Sequence, residues 1–181
     1  GVAMNPPHSC PEEWADKLAA LGLGAAVFPC GDQAPDSLVD AYVEAARSHD
    51  IVIAEVGAWC NPLSSDPVAR GNNMELCKRR LALADRVGAR CCVNIAGTDV
   101  GPQWDGPYRE NFGEAAMEKT AASVREILDA VKPEHTFYTL EPMPWMIPSS
   151  PEQYLELIGR VAHPRFAVHM DVVNMISSPE K

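Results

Sequence analysis

The stretch from Met117 to Glu141, MEKTAASVREILDAVKPEHTFYTLE, holds one helix and one strand with a stop between them. Met117, Ala121, Val124, Leu128 and Val131 step by four and three, a spacing that lines one face of a helix and that a strand cannot use. Lys132 and Pro133 end the helix, because proline cannot continue it and restricts the residue before it. Thr136 to Leu140 then reads as a short buried strand, and Glu141 follows it directly.

The same unit repeats on both sides. Upstream, a helix from Pro11 to Leu21 places Trp14, Leu18 and Leu21 on one face, with Ser9 and Glu12 at capping-box spacing, and the run Ala25 to Phe28 is the strand after it. A second helix, Ser37 to Ser48, precedes the strand Ile51 to Ala54. A third, about Met74 to Val87, leads through Gly88 into the strand Cys91 to Ala96. Downstream, Ser150 and Gln153 cap a fifth helix whose apolar side is Tyr154, Leu157 and Val161, and Phe166 to Met170 is the last strand.

Short apolar strands alternating with amphipathic helices make the class α/β, a parallel sheet covered by helices. Five strands are visible, and Val2-Ala3-Met4 reads as the tail of one more, six at most. No GxGxxG or Walker motif marks an open doubly wound sheet. A closed (β/α)8 TIM-type barrel takes ~250 residues, so residues 1–181 read as a single partial barrel domain, incomplete by roughly two βα units.

The 181 residues are 46% apolar, enough for a sizeable core, with a formal net charge of -10 that gives no attraction to a phosphate backbone. Nucleic acid is excluded as a first reading, and no apolar run reaches the ~20 residues of a membrane span. The six cysteines form no CxxC pair or zinc ladder and no signal peptide precedes them, so they read as reduced thiols of a cytoplasmic protein. The vicinal Cys91 and Cys92 read as ordinary strand residues.

In a parallel barrel, residues just past the strand ends converge on one rim. Here they are Asn5 and His8; Cys30 and Asp32; Glu55, Trp59 and Asn61; Asn94, Gly97 and Thr98; Glu141; then Asp171 and Asn174. Glu141 in Thr-Leu-Glu-Pro-Met-Pro-Trp and Asp171 in Val-His-Met-Asp-Val-Val-Asn lie one βα unit apart. They face the same rim and are near enough to share Mg²⁺, Mn²⁺ or Zn²⁺. Each could equally cap a helix or pair with a cation. His169 points the same way along its strand, although a satisfied core histidine is the favoured reading. Trp59 and Trp145 sit in Pro-containing loops where an aromatic can stack on a sugar or simply pack the loop, and Glu55 could face the rim or form a salt bridge.

These features resemble the sugar phosphate isomerase/epimerase superfamily, the xylose isomerase-like barrels. The resemblance rests on Glu-Val-Gly-Ala-Trp-Cys-Asn-Pro-Leu-Ser (Glu55 to Ser64), the turn Ala96 to Thr98, Glu141, and His-Met-Asp-Val-Val-Asn-Met (His169 to Met175), and it covers nearly the whole chain. It implies one divalent metal held by a Glu, an Asp, a His and a second Glu. Glu141 and Asp171 would be the first two ligands, and the other two have no counterpart before Lys181. It implies further that Glu141 is a catalytic proton carrier in sugar isomerisation or epimerisation. His8, Glu55, Trp59, Trp145 and Asn174 are the substrate-binding candidates. Ketose epimerases of the superfamily carry a second Glu and a His where this chain has Ile147 and Asn174, which argues against a free ketohexose. Asn174 and the acidic surface also argue against apurinic-site endonucleases. The rival readings are a metal-dependent lyase on the same barrel and a non-catalytic sugar-binding or complementing subunit. Open strand edges predict a homo-oligomer or a complementing chain.

Overall fold

The computed structural model describes residues 5–176. Five strands, β1 (Ala25–Val27), β2 (Val52–Gly57), β3 (Cys91–Asn94), β4 (Phe137–Leu140) and β5 (Phe166–Val168), form one sheet in chain order. Every pairing is parallel. Helices α1 (Pro11–Ala20), α2 (Asp36–Ser48), α3 (Pro67–Arg86), α4 (Glu114–Val131) and α5 (Pro151–Val161) alternate with them, and a 3₁₀ turn, Arg109–Asn111, precedes α4. This is the α/β class with the strand order of a partial TIM barrel. The further strand read at Val2–Met4 lies outside the described residues.

The helices lie against the sheet and each other, α3 on β2, β3 and α4, and α5 on α4 and β5. Trp14 and Leu18 of α1, Val39 of α2, Cys77 and Leu81 of α3, Leu128 of α4 and Leu157 of α5 are buried in one continuous core with the strands. The spacing that made them a helical face is the spacing that buries them, except at Leu21, which lies just past the end of α1 and is exposed. Among the described residues no helix is long and apolar enough to cross a membrane.

Several boundaries differ from the sequence reading, each for a local reason. α3 begins at Pro67, not near Met74, because Asp66 caps it by accepting from the Val68 and Ala69 N–H groups at 2.8 and 3.2 Å. Its first turns are polar and exposed, so apolar periodicity could not mark them. Ser9 and Glu12 do not form the capping box. The N-cap is Cys10, without a side-chain bond, and Glu13 instead accepts from the Ser9 N–H and Oγ. β3 ends at Asn94 and β5 at Val168, while β2 continues to Gly57. Glu55 is therefore a residue within its strand.

Candidate active site

The register sets the rim. Asn94 pairs with Leu140 and Leu140 with Val168, so Glu141 and His169 each stand one residue past the last paired level of adjacent strands. The Glu141 N–H donates to the Asn94 carbonyl at 2.7 Å, which extends the ladder by one bond and fixes the backbone beneath the carboxylate.

Tyr154 of α5 fixes the rest. Its buried hydroxyl donates to the Leu140 carbonyl and accepts from the Leu140 and His169 N–H groups at 3.1 and 3.2 Å. One phenol thus ties the ends of β4 and β5 together from the helix behind them. A buried tyrosine hydroxyl needs polar partners, and the unfinished ends of two strands supply them.

In front of this frame four ionisable side chains meet. Asn174 donates its amide to Glu141 Oε1 at 2.9 Å, and its backbone N–H, with that of Val173, caps Asp171 Oδ1 at 3.1 and 2.9 Å. His169 Nε2 lies 3.3 Å from Glu55 Oε2, and its Nδ1 is buried without a partner among the described residues. Burial, then the neighbouring Asp171 carboxylate to which a protonated Glu141 can donate, raises the Glu141 carboxyl above its ordinary value. The Asn174 N–H outweighs burial to hold Asp171 below its own. The bond to Glu55 raises His169.

Glu141 and Asp171 are oxygen donors suited to a hard or borderline divalent cation, and the repulsion between two adjacent carboxylates is what such a cation would relieve. Among the described residues no group of three His, Cys, Asp or Glu side chains could hold a metal. The donors present therefore fit part of a metal site.

The remaining candidates are placed as follows. Trp59 follows β2 in the left-handed region (φ 42°) with its indole folded over Gly57, where an added Cβ would sit 2.0 Å from Nε1. It is half-exposed. Trp145 donates from Nε1 to the Asp105 carbonyl at 2.8 Å, and its own carbonyl accepts from Asn111, so it ties the loop after β4 to the loop after β3. His8 is occupied by Tyr42, 2.9 Å from the hydroxyl, and by the Pro6 carbonyl. Its hydrogen bonds run to those groups and not to the carboxylates. Asn61 binds the Thr98 backbone on both its N–H and carbonyl, and Asp32 pairs with Arg79 and Arg80 of α3. Both are structural.

Two residues do more in the structure than their place in the sequence pattern predicts. His169 is no satisfied core histidine, since its ring is partly exposed, faces Glu55 and leaves Nδ1 unpaired. Its signal was the alternation that aims it with Asp171. Tyr154 was read only as part of an apolar face, yet a tyrosine among Leu and Val on such a face carries a hydroxyl that must be satisfied.

The fold is shared with solved proteins. A D-psicose 3-epimerase with D-tagatose from Clostridium cellulolyticum H10 superposes with a TM-score of 0.75 at 15% identity, covering 96% of this chain and 62% of that one. A xylose isomerase-like TIM barrel protein from Mycobacterium smegmatis in complex with magnesium gives 0.66 at 15%, covering 93% and 59%. A probable 3-DHS dehydratase from Bacillus anthracis gives 0.58 at 16%, covering 89% and 50%. The chain thus spans between half and about six-tenths of the length of these structures, and at such identities the likeness concerns the fold. No curated protein matches the chain. Residues 15–180 match the family model described as xylose isomerase-like TIM barrel, and the chain belongs to that family.

Proposed function

We propose that these residues form the ligand and acid/base half of a divalent-metal-dependent sugar isomerase or epimerase. The observation that carries the reading is the meeting of Glu141, Asp171, His169 and Glu55 on one rim. The cation would be Mn²⁺, Mg²⁺ or Zn²⁺, held in part by Glu141 and Asp171, and when bound it supplies polarisation of the substrate carbonyl. Glu141 removes a proton from the carbon beside that carbonyl and returns it. Because Asn174 occupies Oε1, Oε2 is the oxygen that carries the proton. Glu55 orients the His169 ring, and Trp59 and Trp145 offer apolar faces to a sugar.

A cytoplasmic setting, in which the six free cysteines stay reduced, belongs to the same proposal. So does inactivity of the 181-residue chain alone, because Glu55, the other glutamate of the described group, is engaged by His169 and leaves Glu141 without a second acid/base Glu there. The test is uptake of deuterium from D₂O at the carbon next to the carbonyl of a panel of ketoses. The 181-residue chain should show none. A protein carrying these residues within a complete set of barrel strands should show it, and Glu141→Gln there should lower kcat by ~10² or more. Unchanged turnover in that variant would remove Glu141 from the mechanism. Loss of water from the substrate, in place of exchange, would assign the site to elimination by the same proton removal.

A further inference from the structure

Behind the rim lies a group of side chains that the proposed chemistry does not use. Cys60, three residues after the end of β2, and Cys77, in the middle of α3, place their sulfurs 3.4 Å apart. Asn94 donates its side-chain amide to Cys77 Sγ at 3.4 Å and accepts the Cys60 N–H on Oδ1 at 3.1 Å, and the same amide reaches toward Tyr138 Oη. Cys77 and Asn94 are fully buried, while Cys60 retains slight exposure. Hydrogen bonding from Cys60, from Tyr138 and from Asn94 outweighs burial and lowers the Cys77 thiol below its ordinary value, whereas Cys60, which keeps its proton in the bond to Cys77, is raised. The other thiols are differently placed. Cys10 is exposed and remote in sequence, and the vicinal Cys91 and Cys92 have alternating side chains that leave the strand on opposite faces.

We propose that Cys60 and Cys77 are an oxidisable dithiol, a modification site at which a small two-electron oxidant such as a hydroperoxide forms an intramolecular disulfide pinning the loop after β2 to α3. The sulfurs have only to close from 3.4 Å to the roughly 2.0 Å of an S–S bond. With hydrogen peroxide, one sulfur of the pair, as its thiolate, attacks one peroxide oxygen, the O–O bond breaks, and the leaving hydroxide takes a proton to become water. The resulting sulfenic sulfur is then attacked by the other sulfur of the pair as that thiol loses its proton, and the sulfenic hydroxyl leaves as the second water. Two thiols are oxidised by two electrons, and one peroxide is reduced to two waters. Because Cys60 adjoins Trp59, and Asn94 carries Glu141 on its backbone carbonyl, the bond would form directly against the candidate site.

The experiment treats the 181-residue chain carrying Cys10→Ser with stoichiometric hydrogen peroxide, blocks remaining thiols with N-ethylmaleimide after denaturation, and digests with trypsin without reductant. Cleavage puts Cys60 in residues 48–70 and Cys77 in residues 71–78, so their cross-link has a mass of its own. The expected result is that this cross-linked pair dominates, vanishes on reduction, and is absent after Cys60→Ser. Recovery of both peptides as maleimide adducts, or a dominant cross-link through Cys30, Cys91 or Cys92, would overturn the proposal. The parent mass spectrum decides it even if a variant folds poorly.

Discussion

Asp85 shows how much one side chain can organise. Near the end of α3, it accepts the backbone N–H groups of Glu134, His135 and Thr136 at 3.1, 2.6 and 2.9 Å, and so closes the turn that feeds β4 and its terminal Glu141. Burial opposes ionisation there, but the three N–H groups prevail and hold the carboxyl below its ordinary value. A depressed carboxylate contributes stability that is present above its unfolded pKa, about 4, and lost as pH falls through the folded one. Asp85→Ala should therefore cost roughly 1–2 kcal/mol near neutral pH. In urea unfolding at several pH values, the gap between the two proteins should narrow below pH ~4; a pH-independent gap would mean that the ionised form is not what matters.

Tyr154 makes the companion case at the site. Tyr154→Phe keeps the ring but strands the N–H groups of Leu140 and His169, a loss of about 1–3 kcal/mol by thermal or chemical unfolding. A neutral substitution would show that water replaces the hydroxyl and that the strand ends are held some other way. That Glu141 and Asp171 lie just past strand ends was legible because each follows a run of mostly apolar strand residues. The role of the Tyr154 hydroxyl and the pairing of His169 with Glu55 were not, since both depend on which atoms meet in the folded chain, the second across 114 residues, and no local pattern carries that.

Among the elements, the end of α4 and the run of β4 were legible to within a residue, because amphipathic period, the stop at Lys132 and Pro133 and the apolar run all agree, whereas α4 begins three residues before Met117, at Glu114. α3 was half legible. Its second half carries the buried face Met74, Cys77, Leu81 and Ala84, whereas its first turns are held by the Asp66 cap and tertiary context. The cap is testable by itself: Asp66→Ala should lower stability by about 1 kcal/mol in denaturant titration while leaving the m-value unchanged. No change at all would assign the start of α3 to packing. The ends of β3 and β5 were overread because apolar residues continue past the last hydrogen bond, and composition does not report where a ladder stops.

For the whole molecule, the sheet has β1 and β5 at its two edges among the described residues. Val168, Met170, Val172, Val173 and Ile176 along and beyond β5 are all exposed. Unpaired backbone beside an exposed apolar stretch favours association with another copy or a complementing chain. Light scattering should show a mass that rises with concentration, and Val173→Lys should reduce it. A concentration-independent monomer would mean that this face is tolerated in water.

If Glu141 and Asp171 share a divalent cation, Mn²⁺ titration of the 181-residue chain by calorimetry shows it most directly. With Glu141 and Asp171 as the only two carboxylates of the described group not engaged by His169, binding should be one-to-one and weaker than micromolar, and it should disappear in both Glu141→Gln and Asp171→Asn while circular dichroism stays unchanged. Micromolar or tighter binding to the monomer, or weak binding that survives both substitutions, would place the metal elsewhere and contradict the account.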